Sequence, residues 1–463
     1  MSAVTSEHRS DVGLRNVLSK RQLTMISIGG VIGAGLFVGS GNAIASAGPA
    51  IILSYSAVGI IVVAIMQMLG EMSTANPTSG SFSDYASRYM GSWAGFSVGW
   101  LYAYQWCVTI GFEAIAGAGL VNQLLPAVPT WLAALILLGA MIAVNLITVE
   151  AFGTFEYWFA MIKVATICVF LVIGVLVFLN LFPGTHSPGL TNLIGQGGFA
   201  PKGWGAVLNG SVVVFFSFFG TEVITVAAGE AQNPKESVRT GIKSVVWRIL
   251  LFYIGSIAVI VTLMPWNSTK VMDSPYAAVP GHLGLPYVET IMKVIVLCAV
   301  LSCLNSGIYS ASRMLHAMAA THKAPSVLSR TNKRGVPTFA VFGAASIGIL
   351  TVIANYFLPT TDIYEFLIDS SGSVAVIVYL YISITHFRSH HDIVKNNPDI
   401  PVKMWGYPWV SAIIFVAMLA VIVGMATNAS SQRSLLLTAL VTIISIVIGF
   451  VNQKKLETAS DKG

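Results

Sequence analysis

The sequence is poor in charge. Of its 463 residues only 10% are Asp, Glu, Lys or Arg, while 55% are hydrophobic; a soluble globular chain carries about 25% charged residues. That balance excludes an ordinary water-soluble domain. Cysteine is scarce as well. Cys107, Cys168, Cys298 and Cys303 all fall inside apolar runs, without disulfide or metal-ligand spacing, and read as buried thiols. The eight histidines (His8, His186, His282, His316, His322, His386, His390 and His391) lie near the ends of apolar runs or between them. No HExxH, paired aspartates or Ser–His set stands at membrane depth, so the chain does not read as an enzyme, and no metal or cofactor is expected. No pore-loop filter of the channel kind is evident, and the connections are too short to hold a soluble domain. The formal net charge of +6 is spread over loops, which argues against a nucleic-acid partner.

What the chain has is apolar length. Twelve runs are long enough to span the roughly 30 Å hydrocarbon core of a bilayer: Gln22–Ala47, Ala50–Ser73, Trp93–Leu124, Trp131–Thr148, Trp158–Phe182, Trp204–Gly229, Val245–Leu263, Pro286–Ala319, Phe339–Phe357, Ile363–Phe387, Trp409–Met425 and Leu435–Val451. The first has no small-residue cleavage site after it and is not expected to be a signal peptide. With an even number of spans, twenty basic residues, among them Arg9, Lys20, Arg239, Arg248, Arg313 and Lys323, fall on one side; only Lys202, Lys270 and Arg433 fall on the other. This bias predicts that both termini are cytoplasmic.

Two runs carry interruptions. Gly29–Gly41 reads GGVIGAGLFVGSG, with six glycines in thirteen residues, where glycine weakens a helix. The sixth run holds FFSFFGTE, Phe215–Glu222. If five spans are repeated inverted by the next five, the two breaks correspond, and matching broken helices point to a secondary transporter's site. An unwound helix presents N–H groups to an anion and carbonyls to a cation, tolerable only where it lines a cavity. Gly33, Ala34 and Gly35 offer such N–H groups to a carboxylate. The spacing Gly29–Gly33 equally suits close helix packing.

GGVIGAGLFVGSG with AGPA, GEMSTANPTSGSFSDYA (Gly70–Ala86), FFGTEVITVAAGEAQNP (Phe218–Pro234), SCLNSGIYSASRML (Ser302–Leu315) and FLIDSSGSVAVIVYLYI (Phe366–Ile382) resemble the bacterial amino acid permeases of the amino acid–polyamine–organocation superfamily. The likeness runs from about Leu14 to Lys455; SCLNS, ASRML and FLIDSSG look nearest to the 4-aminobutyrate (GABA) permeases. The resemblance implies an all-α polytopic membrane protein of twelve transmembrane helices: a five-plus-five inverted repeat (22–182 and 204–387) with helices 1 and 6 broken, two C-terminal helices (409–451), and cytoplasmic tails (1–21 and 452–463). It implies a bacterial inner-membrane carrier, a monomer or weak homo-oligomer among lipids, taking up an amino acid with H+ as coupling ion. GABA or a similar ω-amino acid is the expected substrate. A permease for neutral α-amino acids (Ala, Gly or Ser, aromatic or branched-chain) and a non-transporting amino acid sensor are the alternatives.

The expected substrate site comprises Ile32, Gly33, Ala34 and Gly35 at the first break and Phe216, Phe219, Gly220 and Glu222 at the second. A charge at bilayer depth costs roughly 2.5 kcal/mol or more, so each needs a reason. Lys163 is read as a snorkelling lysine or, by the resemblance, as the proton-coupling cation that stands where sodium-coupled relatives hold Na+. Glu222 follows the second break and reads as a cap for freed N–H groups, a proton relay or an anchor for the substrate amine. Glu113 reads as a partner of Lys163 or a structural carboxyl. Lys293 reads as snorkelling, Glu71 and Glu230 as loop-packing or gate residues, and Asp369 as part of a polar break with Ser370, Ser371 and Ser373. Phe216 aligns with the family's gating aromatic; Tyr102, Tyr104 and Gln105 read as cavity edge or interface anchors.

Overall fold

The computed structural model describes residues 18–29, 32–284 and 286–460. Among them the chain is helical with no strand, and its one isolated bridge joins Leu18 to Ala231. Each apolar run falls on helix, and ten helices among the described residues are long and apolar enough to cross a membrane. The first run is divided into Lys20–Gly29, Ala34–Phe37 and Gly39–Ala47, the last leading directly into the second run's helix, and the tenth lies in the 37-residue helix Thr360–Asn396, part of which is outside the described side chains.

Local chemistry sets the boundaries. Gly48, at φ 73, and Pro49 turn the chain before the helix Ile51–Ala75, because glycine alone takes a positive φ without steric cost. Thr148 caps the helix Val149–Phe178, its hydroxyl accepting the Ala151 amide at 3.0 Å. That helix starts well before Trp158, so Glu156 becomes part of it. The helix Pro234–Arg248 likewise starts before Val245 and continues through a π-helical stretch, Ile249–Gly255, into Ser256–Leu263.

The helices Ser92–Leu124 and Pro286–Ala320 pack closely at the centre, and the two broken segments lie against them. Around this core, large apolar side chains such as Trp247, Leu350, Trp409, Ile413 and Leu436 stand exposed. In water such a surface would aggregate; in a bilayer it is the lipid-facing wall.

Candidate functional site

The first break opens between Lys20–Gly29 and Ala34–Phe37. The carbonyl of Ile32 accepts the Lys163 ammonium at 2.8 Å. The Ala34 amide donates to both carboxylate oxygens of Glu113, at 3.0 and 3.1 Å. The expected anion-binding amide is thus held here by a protein carboxylate. Gly33 has no room for a side chain: a Cβ would lie 2.5 Å from Cys303 Sγ and from Glu113 Oε1. Gly35 lies against the sixth segment, where its Cβ would be 3.1 Å from Ser217 Cα, and its carbonyl accepts the Ser217 hydroxyl at 2.8 Å. Glycine therefore serves close packing and backbone exposure together.

The second break follows Gly203–Phe218. Phe219 is extended, and Gly220 sits at φ 108, a conformation L side chains rarely adopt. The Gly220 amide donates to both oxygens of Glu222 at 3.1 Å, so Glu222 folds back and caps the break. Tyr379 donates to Glu222 at 3.4 Å, and Tyr102 also borders its carboxylate. Phe219 lies among Tyr102 and Trp106, each ring 5.5 Å away, and Tyr379 at 6.4 Å. Phe216 instead meets Phe112 edge-on at 5.0 Å. Buried Gln105 makes no amide hydrogen bond among the described residues. A carboxylate ringed by aromatic faces suits an ammonium ion, which both attract.

The two breaks touch through Ser217 and Gly35, and the fully buried Glu113, Lys163 and Glu222 line them. Glu156 was not foreseen. It is fully buried, accepts the Ser302 hydroxyl at 2.5 Å, and lies two turns before Lys163 on the same helix. Asn305 lies beside it and is tied to Asn145 at 2.8 Å.

Beyond the breaks, Glu230 pairs with buried Arg313 at 2.8 Å and accepts Tyr309 at 2.9 Å; Tyr309 stacks on Phe152 at 4.0 Å. Leu18 exchanges backbone hydrogen bonds with Glu230 and Gln232. Glu71 accepts the Met404 amide at 2.7 Å. Lys293 pairs with Glu289 at 3.0 Å and is partly exposed. The side chain of Asp369 lies outside the described residues, whereas buried Ser373 meets Ser434 at 3.1 Å. Three basic residues assigned to loops prove buried: Arg313, Lys323 and Arg248, the last with no guanidinium hydrogen bond among the described residues. Arg248 and Arg313 lie near the ends of the runs Val245–Leu263 and Pro286–Ala319, Lys323 lies just past the helix Pro286–Ala320, and tertiary packing covers them. Of the thiols, only Cys107 and Cys303 are buried; Cys298 is intermediate, and Cys168 is exposed on a lipid-facing helix.

Two interrupted membrane helices meeting around buried carboxylates are the architecture of a secondary carrier. The family profile described as "Amino acid permease" matches residues 22–458. The chain is 46% identical over 449 residues to the gamma-aminobutyric acid permease of Bacillus subtilis, covering 97% of this chain and 96% of that one. It is 41% identical to a probable GABA permease of Pseudomonas aeruginosa, covering 97% and 94%, and 40% identical to the gamma-aminobutyric acid permease of Escherichia coli, covering 92% and 91%. The chain belongs to the amino acid permease family and is a multi-pass membrane protein.

Proposed function

We propose that this chain imports 4-aminobutyrate, or a similar ω-amino acid, by alternating access driven by an inward proton gradient. One observation carries the reading: carboxylates cap both helix breaks, Glu113 on Ala34 and Glu222 on Gly220, and aromatic rings surround the second. The substrate ammonium docks between Glu222 and the faces of Tyr102, Trp106, Phe219 and Tyr379. Its carboxylate competes with Glu113 for the Ala34 N–H group. When the substrate wins, Glu113 loses its donor beside the incoming anion and takes up a proton, while Lys163 holds the unwound segment at Ile32. Proton and substrate then bind together. The relatives' names, over nearly the full chain, support 4-aminobutyrate.

In this reading, 22–182 and 204–387 are inverted repeats, 409–451 the two added helices, and both tails face the cytoplasm of a bacterial cell. The test is uptake of radiolabelled 4-aminobutyrate by proteoliposomes, with a panel of unlabelled competitors. Saturable uptake blocked by β-alanine and not by leucine or phenylalanine is expected. Uptake of an α-amino acid alone would overturn the substrate. No flux of any amino acid would overturn the carrier in favour of a sensor.

A further inference from the structure

Far in sequence from the breaks, three candidate ligand atoms converge. Glu71, near the end of Ile51–Ala75, faces His386 and His390, one turn apart on Thr360–Asn396. Glu71 Oε1 lies 2.7 Å from His390 Nδ1 and 3.3 Å from His386 Nε2, and all three atoms lie within 4.8 Å of one another. Glu71 and His386 are fully buried; the His390 side chain is 16% exposed, which leaves an entry path.

The surroundings hold these groups in place. The second Glu71 oxygen accepts the Met404 amide at 2.7 Å, and the His390 ring stacks on Tyr407 at 3.7 Å. An orienting hydrogen bond on the far atom of a ligand is what metal ligands usually have. His386 Nε2 faces the same Glu71 oxygen at 3.3 Å, and its Nδ1 has no hydrogen-bond partner among the described residues. Tetrahedral Zn2+, bound at about 2.0–2.1 Å, sets its ligand atoms about 3.3 Å apart. The His386 spacing from Glu71 matches that value, and the His390 spacing, at 2.7 Å, is shorter.

We propose that Glu71, His386 and His390 bind one divalent transition-metal ion, with Zn2+ the best match to two imidazoles and a carboxylate. Imidazole ligands disfavour Mg2+ and Ca2+, which take oxygen ligands. The bound ion fastens the helix Ile51–Ala75 to the helix Thr360–Asn396, and through Glu71 to the connection carrying Met404.

The test uses the purified full-length protein in detergent, titrated with Zn2+ by calorimetry and with Co2+, whose tetrahedral complexes show intense visible bands. One Zn2+ per chain is expected, displacing Co2+ and raising the thermal unfolding midpoint; Mg2+ does neither. The variants E71Q, H386Q and H390Q each weaken binding at least about tenfold. Each variant's own unfolding transition reports whether it folds, and H390Q, at the partly exposed position, decides if the buried variants do not. Absence of stoichiometric binding to the wild-type protein, or unchanged binding to folded H390Q, overturns the site.

Discussion

Replacing Lys163 with methionine removes the one cation between two buried carboxylates. In the native protein its ammonium donates to the Ile32 carbonyl at 2.8 Å and interacts with Glu156 and Glu113, all with full burial. Methionine nearly fills the volume, so packing loss is small. Removing one charge from a buried network of opposite charges costs up to about 3–5 kcal/mol, because the remaining charges stay buried without it. Glu156→Gln alone keeps an acceptor for the Ser302 hydroxyl but leaves Lys163 with less negative charge, a smaller cost. The double variant Lys163→Met/Glu156→Gln removes the mismatch and recovers part of the loss. We expect a coupling energy within the 0.5–3 kcal/mol range of residues in one charge network. The assay is the apparent unfolding midpoint in detergent for wild type, both single variants and the double variant. Lys163→Met should fall by several degrees, with the double variant above it. Losses that add to within about 0.5 kcal/mol would show that the two charges do not interact, and an unchanged Lys163→Met would refute the buried-pair reasoning altogether.

Other substitutions probe separate parts of the account. Glu222→Gln keeps an acceptor for the Gly220 amide and should leave the unfolding midpoint within about 0.5 kcal/mol of wild type; it should raise the KM for 4-aminobutyrate at least about tenfold, since it removes the charge facing the ammonium. An unchanged KM would exclude Glu222 as the amine anchor. Gly33→Ala pushes a methyl to 2.5 Å from Cys303 and Glu113, and overpacking of this kind costs about 1–3 kcal/mol; uptake at wild-type rate and stability would mean that the break is not tightly packed. Arg248→Met deletes a buried guanidinium without hydrogen bonds among the described residues and should raise the midpoint, by analogy with the about 1–4 kcal/mol gained when buried ions give way to apolar side chains. A fall would mean that Arg248 has an ionic role in another state of the transport cycle.

Some of this was legible in the residues alone. Glycine-rich GGVIGAGLFVGSG and FFSFFGTE lie where the helices break, because glycine at Gly220 takes a conformation other residues avoid. Glu113, Lys163 and Glu222 stand out as rare charges within apolar runs. Glu156 did not, because it precedes Trp158: hydropathy marks where lipid contact begins, whereas the helix begins at the Thr148 cap. Arg248 and Arg313 lie near the cytoplasmic ends of their runs and so read as loop charges, but tertiary packing buries them. The grip of Glu113 on Ala34 joins helices 79 residues apart, and that of Glu71 on His390 joins helices 319 residues apart. Such pairings are set by tertiary packing, on which local propensity is silent.

In the proposed mechanism substrate and proton enter together at the two capped breaks. Sealed proteoliposomes holding a pH-sensitive dye, with no imposed gradient, report this when external 4-aminobutyrate is added. Acidification of the lumen that saturates with 4-aminobutyrate and is lost in Glu113→Gln is expected. Uptake of labelled 4-aminobutyrate without any change in luminal pH would contradict the mechanism.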